Sequence, residues 1–64
     1  MIEFTSKEDF LVAGLGFTDY FEEKLFEFYL KRDGYMYYDP VSMSMCDQNN
    51  QRIFYVEQGF IANS

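Results

Sequence analysis

The sequence predicts a small α+β domain in which two N-terminal helices pack on a C-terminal antiparallel β-hairpin or three-stranded sheet. Three observations predict this class. Helix-start and helix-stop residues bracket two segments before Gly34, apolar and polar residues alternate after it, and 64 residues suffice for one domain, here residues 1–64. One helix followed by an antiparallel β-meander is the alternative. Eight Phe and six Tyr residues are the expected source of the core, because aromatic rings bury large apolar areas.

The first four residues form an apolar lead-in that is compatible with an extra strand, and a helix is predicted to follow. Thr5 and Glu8 match the capping box, in which the two side chains bond backbone N–H groups at a helix start. This first helix is expected to end near Gly14 or Gly16, since glycine readily adopts the left-handed conformation that closes a helix.

A second helix is predicted over residues 20–32, where Asp19 precedes Glu22 by three residues and Gly34 follows as the terminator. At 100° per residue, the predicted buried arc consists of Phe21, Leu25, Phe28 and Tyr29, widened by Phe26 and Leu30. The predicted exposed face consists of Glu23, Lys24, Glu27 and Lys31. The helix explains both ends of the segment and gives it one polar face.

A β-hairpin is the competing interpretation of the same segment. Asp33-Gly34 is a typical type I′ turn, and aromatic residues are frequent on both sides of it. Residues 25–32 and 35–39 would then pair as strands. Helix is preferred because it accounts for more of the residues, but residues 24–32 remain open between the two structures.

After Gly34 the apolar residues recur with the period of two that is typical of a strand. The predicted apolar face of the hairpin consists of Tyr35, Tyr37, Val41, Met43 and Met45. Residues 47–51 are a polar loop and residues 52–57 a second strand, which places Met45 opposite Ile53 and Met43 opposite Tyr55. Pro40 predicts an edge or a bend, and residues 59–61 a last pairing.

The composition excludes several kinds of chemistry. The chain has no His and one Cys, so a Cys/His zinc site, an intrachain disulfide and a His-based nucleophile pair are all impossible. No signal peptide is expected, and no apolar run approaches the ~20 residues that span a bilayer. A reducing, cytoplasmic location is therefore expected.

The charge distribution argues against anionic partners. The net charge is −6, and residues 3–27 hold seven acidic residues against two lysines. Nucleic-acid binding needs a basic stripe that neutralises phosphates, and the sequence has none. We therefore expect neither direct nucleic-acid binding nor association with an anionic membrane.

Four motifs resemble active or binding sites, and each has a simpler explanation. The carboxylates at residues 19–23 are expected to cap a helix, where the dipole favours the charged form. Residues 14–18 lack the third glycine of a dinucleotide loop, and Arg52 stands where a calcium loop starting at Asp47 needs Gly. Cys46 has no nearby cation in sequence to activate it. The sequence predicts no catalytic, cofactor-binding or metal-binding residue.

The tyrosine-rich segment 35–38 is the strongest functional signal. A strand here puts apolar side chains on both faces, whereas a two-layer domain covers one, so Met36 and Tyr38 are predicted to be exposed or to contact another chain. The predicted partner-binding residues are Tyr35, Met36, Tyr38, Glu23, Glu27 and Asp19.

The sequence therefore predicts a small, acidic, non-enzymatic protein-binding module. It would inhibit or regulate a larger protein, with a basic, nucleic-acid-handling partner favoured by the charge. The composition is similar to that of virus-encoded inhibitors of host defence or transcription, and a nucleic-acid mimic is the sharper form of the hypothesis. The alternative is an obligate homo-oligomer, such as a homodimer, or an accessory structural subunit that uses its tyrosine-rich hairpin edge.

Overall fold

The computed structural model describes residues 1–56, and within them the chain forms two helices and a four-stranded antiparallel sheet. The elements are β1 (Ile2–Phe4), α1 (Lys7–Val12), α2 (Tyr20–Asp33), β2 (Met36–Asp39), β3 (Ser44–Cys46) and β4 (Arg52–Tyr55). The α+β class is confirmed. The sheet has four strands rather than two or three, because the apolar lead-in forms β1 ahead of both helices. The pairing predicted for residues 59–61 lies outside the described residues.

The strands lie in the order β1-β2-β3-β4, and all neighbours are antiparallel. The tyrosine-rich strand β2 is therefore hydrogen-bonded on both sides, to β1 with Phe4 opposite Met36 and to β3 with Tyr38 opposite Met45. The expectation of a tyrosine-rich hairpin edge is wrong, because the lead-in strand covers that edge.

Local signals set the ends of the helices. Ser6, one residue after the predicted Thr5, caps α1 by accepting a 3.0 Å hydrogen bond from the Asp9 N–H. Asp19 caps α2 as predicted and accepts from the Glu22 N–H at 2.9 Å. Gly34 ends α2 with φ +89°, the left-handed conformation that glycine adopts without steric cost. Residues 25–32 are thus helical, and the competing hairpin is wrong.

The β2–β3 connection differs from the predicted hairpin. Val41 and Met43 were expected to point into the core, but residues 40–43 form a turn in which Val41 is 92% exposed. Proline has no N–H for a ladder, and the Asp39 carboxylate accepts from the Val41 N–H at 3.0 Å, so the chain bends at Pro40.

The pairing of β3 with β4 is also shifted by one residue from the prediction. Phe54, not Ile53, lies opposite Met45, and Cys46 lies opposite Arg52. An irregularity between Met45 and Cys46 leaves Ile53 as the extra residue of a bulge. A bulge cannot be read from alternation alone, which is why the predicted register failed.

The core is a cluster of rings between the helices and one face of the sheet, here called the inner face. Phe10 of α1 lies at its centre, with its ring centroid 4.8 Å from Phe17, 4.8 Å from Phe26 and 5.7 Å from Phe4. The inner face of the sheet contributes Phe4, Met36, Tyr38, Met45 and Phe54. Both helices therefore pack on the inner face, and neither covers the opposite, outer face.

The buried and exposed faces of strand β2 are the reverse of those predicted. Met36 and Tyr38, predicted to be exposed, are 0% and 3% exposed, while Tyr35 and Tyr37 point to the outer face. The pairing with β1 determines which face of β2 points to the core. Residues directly opposite each other share a face, and Met36 lies opposite the buried Phe4.

Candidate interaction surfaces

The exposed side of α2 carries aromatic rings that the prediction had assigned to the core. Phe21 and Phe28 are 68% and 56% exposed, whereas Phe26 is fully buried against Phe10 and Phe17. Aromatic residues occur around most of the circumference of this helix, so only some of them can face the sheet. The predicted buried arc is therefore wrong for Phe21 and Phe28, whereas its other members, Leu25, Phe26, Tyr29 and Leu30, do pack on the core.

Cations lie beside these exposed rings. The Lys24 ammonium is 5.0 Å from the Tyr20 ring centroid, and the Arg32 guanidinium is 5.8 Å from that of Phe28. We call this surface the α2 stripe, and it consists of Tyr20, Phe21, Lys24, Phe28, Lys31 and Arg32. Phe21 and Phe28 are two helical turns apart and lie on the same side.

The acidic side of α2 faces α1 rather than solvent alone. Lys7 of α1 donates to Glu23 at 2.7 Å and to Glu27 at 2.8 Å. These bonds raise the pKa of Lys7 and lower that of Glu27. Lys24 and Lys31 of the predicted exposed face are exposed, whereas Glu23 and Glu27 are half-buried and engaged within the domain.

The six predicted partner-binding residues do not converge on one site. Met36 and Tyr38 belong to the core, and Glu23 and Glu27 bind Lys7. Tyr35 lies at the outer face of the sheet, and Asp19 caps the exposed N-terminus of α2. The prediction missed the α2 stripe. Its signal was present, because five aromatic residues in α2 are too many for one buried arc.

The outer face of the sheet presents a row of four residues in direct register. Glu3 lies opposite Tyr37, Tyr37 opposite Cys46, and Cys46 opposite Arg52. We call these four residues the outer row; it has an acid on β1 and a base on β4, the first and last strands of the sheet within residues 1–56. The Arg52 guanidinium lies 4.5 Å from the ring centroid of the exposed Tyr55.

The centre of the outer face is shielded by its own side chains. The Tyr35 and Tyr37 rings meet edge to face with centroids 5.2 Å apart, and burial, reinforced by Tyr37, raises the pKa of Tyr35. Burial and the nearby carboxylate of Asp39 raise the pKa of the Cys46 thiol. A thiol that is harder to ionise is a poorer nucleophile, and the Cys46 side chain is also buried.

The other motifs of the sequence have structural roles. The Asp47 carboxylate accepts from the Asn49 and Gln51 N–H groups, each at 2.9 Å, and so closes the polar loop. Gly14 follows α1 with φ +90°, and its N–H donates to the Leu11 carbonyl. In the part of the chain that the structure describes, no three His, Cys, Asp or Glu side chains are grouped to hold a metal ion.

Comparison with protein-family models, curated proteins and solved structures finds no significant match to this chain. Among residues 1–56, neither helix combines the length and the apolar character that crossing a membrane requires. The two surfaces described above are therefore the basis for assigning a function.

Proposed function

We propose that this chain is a small non-enzymatic protein-binding module that inhibits or regulates a larger protein by docking on it through the α2 stripe. The observation that carries the proposal is the exposure of Phe21 and Phe28 on a helix whose other side is firmly packed. Burying one such ring against a partner is worth ~1.5–3 kcal/mol, which is the size of a binding hot spot.

The arrangement suits a helix-in-groove mode of recognition. Phe21 and Phe28 stand at positions i and i+7, with the half-buried Leu25 between them at i+4. Asp19 and Gly34 fix the two ends of α2, and the ion pairs with Lys7 hold its acidic side. A helix that is already ordered before binding loses little conformational entropy on docking.

Charge acts at two distances in this proposal. The net charge of −6 favours encounter with a basic protein at long range. At contact, Lys24 and Lys31 would lie next to carboxylates on the rim of the groove. Phosphate mimicry is the weaker form of the proposal, because Glu23 and Glu27 already bind Lys7.

A matched pair of double variants tests the proposal. Phe21→Ser/Phe28→Ser removes both outward rings, and we expect it to weaken binding to the purified partner by at least ~30-fold, measured by titration calorimetry. The partner is first identified by capture from the native cells with the unaltered chain.

Leu11→Ser/Val12→Ser is the control, since these side chains are also exposed and apolar but belong to α1. The control is expected to bind within about threefold of the unaltered chain. Equal losses for the two double variants would refute docking through the α2 stripe.

A further inference from the structure

The outer row is complementary to itself. Along the register it reads Glu3, Tyr37, Cys46, Arg52, so that an acid, a ring, a small apolar group and a base follow one another from β1 to β4. Glu3 and Arg52 are both exposed at opposite edges of the sheet. The centre carries no formal charge.

A two-fold axis that runs along the strands between β2 and β3 would exchange the ends of this row. When two such sheets pack face to face, β1 of one copy lies over β4 of the other, and β2 lies over β3. Glu3 then meets Arg52 of the second copy twice in the dimer, and each Tyr37 ring lies over strand β3 of the second copy, whose Cys46 side chain is already buried within its own chain. The next row along the strands reads Asp39, Ser44, Tyr55, and in it Asp39 would lie over the strand that carries the buried Ser44 of the second copy.

We propose that the outer face of the sheet binds the outer face of a second copy of this chain in a two-fold symmetric dimer. Within residues 1–56 both helices pack on the inner face, so neither helix stands between the outer face and a second copy. The molecule measures 32 × 22 × 18 Å, which limits the contact to the lower end of stable interfaces. We therefore expect a reversible dimer with a dissociation constant in the micromolar range.

Charge favours the dimer through the outer faces over a dimer through the α2 stripe. A dimer formed through the α2 stripe would bring Lys31 of one copy close to Lys31 of the other, beside Lys24 and Arg32, which already pair with Glu27 and Asp33 of their own chain. Like charges in an interface are unfavourable, whereas the outer row places opposite charges together. The outer face is thus the self-associating surface, and the α2 stripe, on the other side of the sheet, stays accessible.

Charge exchange tests the proposal directly. In sedimentation equilibrium the full chain is expected to form a dimer of about 15 kDa, twice the 7.7 kDa of one chain. Glu3→Arg and Arg52→Glu each create two like-charge contacts, and each is expected to raise the dissociation constant at least ~10-fold. Combining them restores the opposite charges, and the double variant is expected to return to within about threefold of the unaltered chain.

Two controls separate the specific contact from net charge. Glu8→Arg and the double variant Leu11→Glu/Val12→Glu change the net charge by the same amounts as the test variants, but they lie on α1. They are expected to shift the dissociation constant less than about threefold, because exposed charges distant from a contact are screened by salt. A chain that stays monomeric at about 1 mM, or a double variant as weak as the single ones, would overturn the proposal.

A measurement on the unaltered chain tests the proposal even if one of the variants fails to fold. Amide chemical shifts that change with protein concentration are expected at Tyr37, Cys46 and Tyr55. Concentration-dependent shifts confined to Phe21 and Phe28 would instead place self-association on the α2 stripe and would contradict the proposal.

Discussion

Lys7 joins the two helices, because its ammonium donates to Glu23 and Glu27 of α2 at 2.7 and 2.8 Å. This contact lowers the pKa of Glu27. The stability that the contact contributes through Glu27 is therefore present above the ordinary pKa of 4.5, and it is lost as the pH falls through the lowered pKa. The pKa of Lys7 is raised, so its effect is present below 10.5 and is lost only at more alkaline pH.

We predict that Lys7→Met returns the pKa of Glu27 towards 4.5, as followed by NMR titration of its carboxyl carbon. Urea unfolding is expected to show that the variant loses less stability than the unaltered chain between neutral and acidic pH. Lys31→Met is the control, since Lys31 makes no ion pair within residues 1–56, and it should leave both quantities unchanged. An unchanged Glu27 titration in Lys7→Met would show that the bond is not formed in solution.

Gly34 gives a second prediction that concerns a single backbone position. Its φ is +89°, and a Cβ built there would meet no atom within 4 Å, so any cost of substitution comes from the backbone alone. Gly34→Ala is expected to lower the free energy of unfolding by ~1 kcal/mol, and Gly34→Asn by less, because asparagine tolerates the left-handed region better. Urea unfolding measures both, and equal losses for Ala and Asn would argue against this explanation.

The two helices illustrate what the sequence could and could not predict. Asp19 and Gly34 define α2 because caps act through neighbouring backbone groups and need no tertiary partner. The buried side of α2 was not predictable in the same way. Phe21, Phe26 and Phe28 are similar in hydrophobicity, and the contact of Phe26 with Phe10 and Phe17, far apart in sequence, decides among them.

The prediction of which face of strand β2 is buried failed for a related reason. Alternation predicts that Tyr35 and Tyr37 share one face and that Met36 and Tyr38 share the other, which is confirmed. It does not say which face is buried when both are apolar. Pairing with β1 decides which face of β2 is buried, and the sequence indicated only an apolar lead-in compatible with that strand.

In the whole domain the two proposed surfaces lie on opposite sides of the sheet. The sheet separates the outer row from the helices, so a dimer through the outer faces would leave two α2 stripes accessible on opposite sides. Such a dimer could engage two copies of a partner, or two sites on one partner, with a gain in avidity. The class and the two helices were predictable from local signals, whereas this division into two surfaces depends on the four-stranded topology.

The orientation of α2 is the claim on which both the core and the proposed docking surface depend. It is tested most directly by comparing Phe26→Ala with Phe28→Ala in urea unfolding, since the two residues are two positions apart on one helix. Phe26 is fully buried and Phe28 is 56% exposed. We predict that Phe26→Ala lowers the free energy of unfolding by ~3–5 kcal/mol or unfolds the chain, while Phe28→Ala stays within ~1 kcal/mol of the unaltered protein. A larger loss for Phe28→Ala than for Phe26→Ala would contradict the account.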